Sequence, residues 1–212
     1  GDNTAGRWAA STTANKTRGI FAGGASPAQT DTMDYITIAS TGNAVDFGNL
    51  TIAKSHTKGG MSNGTRGVVS YTGYQDPSGN KANIDYVTIP TTGNAQDFGD
   101  CENPRHTLSC CSNSIRGLAG GGLDPAVTSI IDGVMIATRG NSSDFGNLSA
   151  ARRAVAACAS SLRGVWGGGG PSLVDTIDYV TIATVGTAVD FGNLDTNREN
   201  GSACSNAHGG LG

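Results

Sequence analysis

The chain of 212 residues is long enough for one domain with a hydrophobic core or for several copies of a small unit. It has 14 basic and 17 acidic residues and a net charge of −3. This balance is unfavourable for a nucleic-acid partner, whose phosphates attract a basic surface. Apolar runs stay shorter than the ~18 residues of a membrane-spanning helix. We therefore expect neither nucleic-acid binding nor membrane insertion.

The sequence repeats itself, and three markers keep the same period. Asp-Phe-Gly begins at four positions, spaced by 51, 47 and 46 residues: Asp46, Asp97, Asp144 and Asp190. Arg-Gly followed by two apolar residues begins at Arg18, Arg66, Arg116 and Arg163. An acid after Ile or Met, before alternating β-branched residues, stands at Asp34, Asp85, Asp132 and Asp178. A fixed period of this length is typical of a repeat architecture.

In chain order, each repeat alternates runs of β-branched and aromatic residues with Gly, Asn, Ser and Thr, which predicts short strands. In the first copy we expect strands at 19–22, 32–39 and 44–47 and a weaker one around 53–61. Thr41-Gly42-Asn43 suits a tight hairpin turn before the third of them. The alanine-rich stretch 150–159 is the one candidate helix, but its counterparts in other repeats are poor helix formers.

A unit of four short antiparallel strands at this period predicts the blade of a β-propeller, because one such sheet covers its faces by stacking on the next. Glycine clusters at 23–24, 120–122 and 167–170 fit places where backbones approach closely near the axis. The second copy departs from this rule, since Ser70-Tyr71-Thr72 stands in the same place.

The order of these markers resembles the kelch motif, with phenylalanine where kelch has tryptophan: Phe47, Phe98, Phe145 and Phe191. More closely, essentially the whole chain resembles tandem repeats of predicted virion structural and tail proteins of marine bacteriophages. The resemblance implies an all-β, kelch-like β-propeller in a virion or other extracellular location. It also implies adhesion or scaffolding as the role, other virion or assembly subunits as partners, and no catalytic residues.

We expect a single domain over 1–212, with four four-stranded blades plus a partial fifth repeat. The approximate repeats are 1–48 (a partial start), 49–99, 100–146, 147–192 and 193–212 (a partial end). Because the chain begins and ends inside a repeat, the sequence predicts either a piece of a larger propeller or a ring closed by pairing the terminal strand with the first.

Asp-Phe-Gly also occurs in the magnesium-binding element of protein kinases, but a kinase carries it once, beside a catalytic loop and a lysine strand that this sequence lacks. Its fourfold repetition favours each Phe as a core residue between blades, with the Asp capping a turn. The glycine cluster 167–170 lacks the Lys-Ser/Thr sequel of a phosphate-binding loop. We therefore expect no cofactor.

The acids before the alternating β-branched residues form a second recurring column: Asp34, Asp85, Asp132 and Asp178. A ring of acids at the axis would bind a cation. More commonly, such an Asp bonds backbone amides in its own turn, and this is the interpretation that we favour.

Cysteines hold one repeat position at Cys111, Cys158 and Cys204, which favours a small buried apolar site. A disulfide from Cys101 to Cys110 or Cys111 is the alternative. The paired spacing of zinc ligands is lacking.

The three histidines, His56, His106 and His208, fall in three different repeats. Since no carboxylate or nucleophile recurs with them, we expect them at the solvated surface.

Loops that vary between repeats are where binding specificity is expected. They lie between the first two strands, at 25–30, 73–81, 123–128 and 171–175. The longest holds Tyr74, Gln75 and Asp76, an aromatic with polar neighbours of the kind that stacks on sugars, and acids in two other loops are Asp124 and Asp175. We expect a non-enzymatic module for attachment to a host surface, with cell-surface glycans as candidate ligands. The alternative is a decoration, cement or scaffold protein.

Overall fold

Four four-stranded antiparallel sheets make up the computed structural model, which describes residues 1–57 and 60–205. Within these ranges the chain forms no helix, and hence no helix that could cross a membrane. In each sheet the strands follow one another in chain order. The expected all-β class with four-stranded units is therefore confirmed.

The strands recur with closely similar bounds. Sheet 1 consists of β1 (Ser11–Ala14), β2 (Arg18–Ala22), β3 (Thr32–Thr37) and β4 (Val45–Asn49). Sheet 2 consists of β5 (Met61–Ser62), β6 (Arg66–Gln75), β7 (Gly79–Thr88) and β8 (Gln96–Asp100). Sheet 3 consists of β9 (Ser109–Ser112), β10 (Arg116–Gly120), β11 (Ile130–Met135) and β12 (Ser143–Asn147). Sheet 4 consists of β13 (Ala156–Ala159), β14 (Arg163–Gly167), β15 (Thr176–Thr181) and β16 (Val189–Asn193).

The prediction of a weak strand around 53–61 is wrong. Residues 50–57 belong to the connection between sheet 1 and sheet 2, and the next strand is the two-residue β5 at Met61–Ser62. The fourth strand of sheet 1 is instead β1, which precedes the Arg-Gly strand and pairs with it. The alanine-rich stretch 150–159 likewise ends in β13 and forms no helix.

The second copy replaces the double glycine of the other copies by inserting one residue. A register shift between Val68 and Ser70 places Thr72 and Gly73 where the first copy has Gly23 and Gly24. Thr72 keeps the left-handed backbone of Gly23, with φ of 63° in both. A Cβ added at Gly23 would lie 2.7 Å from the carbonyl oxygen of Lys54, so the close approach expected at the glycines is present.

The segment 73–81, expected as a variable loop, is largely a β-hairpin. Strands β6 and β7 run 10 residues each and pair Gly73 with Lys81, Tyr74 with Asn80 and Gln75 with Gly79. Only 76–78 remain as the turn. Sheet 2 therefore carries Tyr74 on a hydrogen-bonded hairpin arm.

Sheets 1, 2 and 3 each pack on the following sheet through the Phe of Asp-Phe-Gly. Phe47, Phe98 and Phe145 are each 2 % exposed, within clusters that also contain apolar residues of the following sheet. Phe191 departs from the expected core position, since it is 54 % exposed. The described residues place no further sheet beyond β16 to cover it.

A buried cation pairs with the recurring acid inside every sheet. Arg7 Nη2 lies 2.7 Å from Asp34, and Lys54 Nζ lies 3.3 Å from Asp85. The remaining two ion pairs are Arg105 with Asp132 and Arg152 with Asp178. Both expectations for these acids, a cation ring and a turn cap, are therefore corrected: each carboxylate neutralises a basic side chain.

Phe98→Ala should lower the free energy of unfolding by about 3–5 kcal/mol, the usual cost of removing a buried aromatic ring. Phe191→Ala, the matched control in the same repeat position, should change it by less than about 0.5 kcal/mol because its ring is exposed. Chemical denaturation of both variants in dilute solution measures the difference. Equal losses would show that Phe191 is covered in solution.

Asp132→Ala should destabilise the protein by about 3–5 kcal/mol, because it leaves the Arg105 guanidinium buried without its counter-charge. Asp195→Ala provides the comparison, since Asp195 forms an ion pair with Arg198 at the surface, where such pairs contribute little. Denaturant midpoints that fall alike for both variants would contradict this assignment.

Candidate functional site

The segments that precede the four sheets and the segment that follows sheet 4, here called the linkers, share a three-residue pattern. Its first residue is basic, and it is the buried cation in four of the five copies: Arg7, Lys54, Arg105, Arg152 and Arg198. Its third residue has the left-handed conformation, with φ between 53° and 58°: Ala9, His56, Thr107, Ala154 and Asn200. Non-glycine residues adopt this backbone rarely, so its recurrence marks a fixed local geometry.

Backbone hydrogen bonds join the left-handed residues from one linker to the next. The amide of His56 donates to the carbonyl of Ala9 at 3.0 Å, and that of Thr107 donates to His56 at 3.4 Å. Ala154 donates to Thr107 at 2.8 Å, and Asn200 donates to Ala154 at 2.9 Å. The first strands of the four sheets, β1, β5, β9 and β13, also contact one another in this order. The linkers therefore lie side by side at one end of the four sheets.

The middle residue of the pattern differs in every copy: Trp8, Ser55, His106, Arg153 and Glu199. In four copies it forms an antiparallel bridge with its own sheet's loop or hairpin, as Trp8 does with Ala25 and Ser55 with Tyr74. A position that changes chemistry while its neighbours keep theirs is typical of specificity carried on a constant frame. We therefore take this end of the molecule as the candidate site.

Four aromatic rings from three repeats meet there. The ring centroids of Trp8 and His56 are 5.1 Å apart, and those of His56 and His106 are 6.0 Å apart. Tyr74 completes the group at 5.6 Å from His106 and 6.4 Å from His56. Trp8 remains 55 % exposed, so the aromatic cluster of these four residues has a face open to solvent.

Polar groups border the aromatic cluster. His106 Nδ1 lies 2.9 Å from Asn80 Oδ1, and His56 Nδ1 lies 3.0 Å from Ser55 Oγ. Burial lowers the pKa of His106 below its usual 6.5. The charges of His56 and Arg153 lower this pKa further, whereas the negative charge of Asp124 raises it. His106 is therefore neutral at pH 7 and can both donate and accept a hydrogen bond.

The sequence located part of this site. Tyr74 belongs to the aromatic cluster, and Gln75 and Asp76 follow it at the hairpin tip. Asp124 lies in the loop beside His106, and its negative charge opposes the lowering of the His106 pKa. No contact among the described residues joins Asp175 to the aromatic cluster.

The expectation of solvated histidines is corrected, because His56 and His106 are half-buried and adjacent; His208 lies outside the described residues. Trp8 was not among the predicted site residues. The linker pattern is the signal that could have found all three residues. Trp8 and His106 occupy its changing middle position, and His56 occupies the left-handed position after it.

A cavity of about 670 Å³ runs along the first strands of the sheets and is lined mainly by alanine, serine, threonine and cysteine. No charged side chain lines it among the described residues. The five cysteines are free thiols, so the alternative disulfide from Cys101 is absent. Burial raises the pKa of Cys110 and Cys111, which keeps these thiols protonated and unreactive.

Comparison with known proteins finds no matching family model and no matching curated protein.

The titration of His106 offers a direct check on the site's electrostatics. By NMR, the pKa of its imidazole should lie below the usual value of 6.5. Arg153→Gln should raise its pKa, because a nearby positive charge is removed, and Asp124→Asn should lower it. Unchanged titration in both variants would contradict the placement of these charges around His106.

Proposed function

We propose that the four sheets serve as blades of a propeller-like scaffold and that the linker end binds carbohydrate without catalysis. The aromatic cluster of Trp8, His56, Tyr74 and His106 is the observation that carries this proposal. The order of the sheets and the hydrogen-bond ladder between their linkers support a propeller-like arrangement.

Carbohydrate suits the cluster because a sugar ring has apolar faces and a polar edge. Flat rings such as those of Trp8 and Tyr74 provide a large apolar contact area at low cost in conformational entropy. The imidazole of His106 and the amide of Asn80 lie beside them and can bond hydroxyl groups. Sites of this kind combine mainly apolar contact with a few placed polar groups.

The expected setting is an extracellular particle. The resemblance of the repeats to those of phage virion proteins supports a role in attachment, in which the linker end would face the host surface. The alternative, a decoration or cement protein, is favoured by one observation, the exposed apolar Phe191 at the end of sheet 4.

Binding to an array of immobilised neutral and acidic oligosaccharides tests the proposal. The wild-type chain should bind a defined subset, and Trp8→Ala or Tyr74→Ala should weaken binding roughly tenfold or more, as truncation of an aromatic anchor usually does. Titration calorimetry with the best sugar on the array gives the affinities.

Two controls make this result specific to the cluster. Tyr74→Phe keeps the ring and should retain most of the affinity. Leu162→Ala changes an exposed side chain in the β13–β14 turn, at the opposite end of the sheet, and should have no effect. An array that captures no wild-type protein, or alanine variants that bind as the wild type does, would refute the proposal.

A further inference from the structure

Three of the four sheets build the same stack of an arginine, a tyrosine and a phenylalanine. In sheet 2, the guanidinium carbon of Arg66 lies 4.6 Å from the centroid of the Tyr86 ring, and this ring meets Phe98 edge-on with centroids 5.9 Å apart. Sheets 1 and 4 repeat both contacts, with arginine-to-ring distances of 4.6 and 4.4 Å. Because the three residues belong to strands of one sheet, the stack is determined within each sheet.

Sheet 3 has the arginine and the phenylalanine but lacks the tyrosine. Gly133 stands in β11 where the other sheets have the tyrosine. The guanidinium of Arg116 lies over Phe145 instead, 5.6 Å from the ring centroid. These three residues line a cavity of about 170 Å³, here called the sheet 3 cavity. Sheets 2 and 4 flank sheet 3 on its two sides, so the cavity results from one missing side chain.

Three further residues of the cavity wall also change in this repeat. Met135 replaces the threonine of the other sheets, and Ser143 replaces valine or glutamine. Arg139 replaces threonine or valine in the turn before β12, and in the part of the chain that the structure describes it has no hydrogen-bond or ion-pair partner. Changes of chemistry that collect around one opening, on an otherwise constant frame, are typical of a binding site.

One aromatic ring matches the sheet 3 cavity in size and surroundings. A protein cavity of roughly 150 Å³ accommodates benzene. The stacks of the other sheets show which contacts a ring makes at this place: a guanidinium over its face and a phenylalanine at its edge, both of which are favourable. The thioether of Met135 adds a group that also contacts aromatic rings favourably.

The charges on the wall favour an acidic substituent on this ring. Two guanidinium groups, those of Arg116 and Arg139, line the cavity together with one carboxylate, that of Asp144. Arg116 already donates to the carbonyl of Ile182 at 2.9 Å, whereas Arg139 retains its donors. A guanidinium binds a carboxylate through two parallel hydrogen bonds, so Arg139 suits a carboxylate ligand.

We propose that the sheet 3 cavity binds a small aromatic carboxylate of the benzoate class. The ring takes the place of the missing tyrosine, between Arg116 and Phe145, and the carboxylate pairs with Arg139. Ser143, which lies opposite Gly133 in the pairing of β11 with β12, provides a hydroxyl group beside the ring.

This site lies at the other end of the sheets from the aromatic cluster. The turn 136–142 joins β11 to β12, whereas the loop 121–129, which bridges to His106, joins β10 to β11 at the linker end. Successive connections of an antiparallel sheet lie at opposite ends of its strands. The proposal therefore goes beyond the carbohydrate binding proposed above and does not depend on it.

Titration of the wild-type chain with 4-methylbenzoate, followed by NMR of isotope-labelled methionine methyl groups, tests the proposal directly. The chain has three methionines, of which Met135 lines the cavity and Met33 and Met61 are buried in sheets 1 and 2. The Met135 signal should shift saturably because a bound ring lies beside it, and the other two signals should stay in place. Met135→Thr, which restores the residue of the other repeats, assigns the signal.

Gly133→Tyr fills the cavity with the side chain of the other sheets and should abolish binding, as measured by calorimetry. A Cβ at Gly133 would meet the Leu118 side chain at 3.2 Å and no backbone atom closer than 3.7 Å, so the chain has room for the substitution. Circular dichroism checks that this variant folds. If it does not, the methionine titration of the wild type decides alone.

Two probes and one variant separate the ring from its charge. Arg139→Thr should weaken the binding of 4-methylbenzoate about two- to fivefold, as loss of an exposed ion pair does. Uncharged 4-methylphenol should bind the wild type more weakly than 4-methylbenzoate and should bind Arg139→Thr equally well. Saturated 4-methylcyclohexanecarboxylate keeps the charge but lacks the flat ring, so it should bind roughly tenfold more weakly.

A Met135 signal that does not shift refutes the proposal, as does unchanged binding by folded Gly133→Tyr protein. A wild-type preference for 4-methylphenol, or equal affinity of the Arg139→Thr variant for 4-methylbenzoate, overturns the assignment of a carboxylate. Trp8→Ala should bind 4-methylbenzoate as the wild type does, so failure of either proposal leaves the other intact.

Discussion

Pairing of a buried cation with a carboxylate inside each sheet is the interaction on which the rest of the structure depends. Arg105 bonds Asp132 and also donates to the backbone carbonyls of Ala119, Gly121 and Ile130. Detaching the linker would leave charge and carbonyl groups unpaired in the interior, which is costly. Each linker is therefore fastened to the sheet that follows it, and the next residue, such as His106, is held at a defined point.

On this frame, variation is confined to side chains that do not support the fold. The cation before the changing residue is buried and paired in four of the five linkers, and the left-handed residue after it recurs in all five, so tryptophan, serine, histidine, arginine and glutamate occupy one position on a constant backbone. The aromatic cluster arises because two such positions, Trp8 and His106, converge at one end with the left-handed residue His56 and the hairpin arm bearing Tyr74. A cluster held in this way by the backbone would lower the entropic cost of the carbohydrate binding that we propose.

Local signals in the sequence were enough for most strands and for the period. The β-branched runs and the Gly-Asn turns are determined within a few residues, and β2, β3 and β4 lie close to their predicted bounds. The ion pairs could not be predicted in this way, because Lys54 and Asp85 lie far apart in sequence and nothing local links them. Edge strand β1 has only four residues and no large apolar side chain. The arm of sheet 2 depends on a register shift that places Thr72 in a rare conformation. For the ion pairs, the one signal in the sequence is that the cation, such as Lys54, recurs with the same period as the acid, such as Asp85.

The pairing of one cation with one acid per repeat also sets the natural unit for gain or loss of repeats. A segment running from the glycine after Phe47 to Phe98 contains both Lys54 and Asp85, together with Thr51, which also bonds that carboxylate. Duplication or deletion of a stretch one period long leaves every interior charge neutralised wherever the stretch begins, because it always holds one cation and one acid. Gain or loss of a stretch that holds only one of them leaves a buried ion unmatched, which is costly. Recombination within a gene of this kind would thus be tolerated in whole periods, which provides a physical route to arrays of different length.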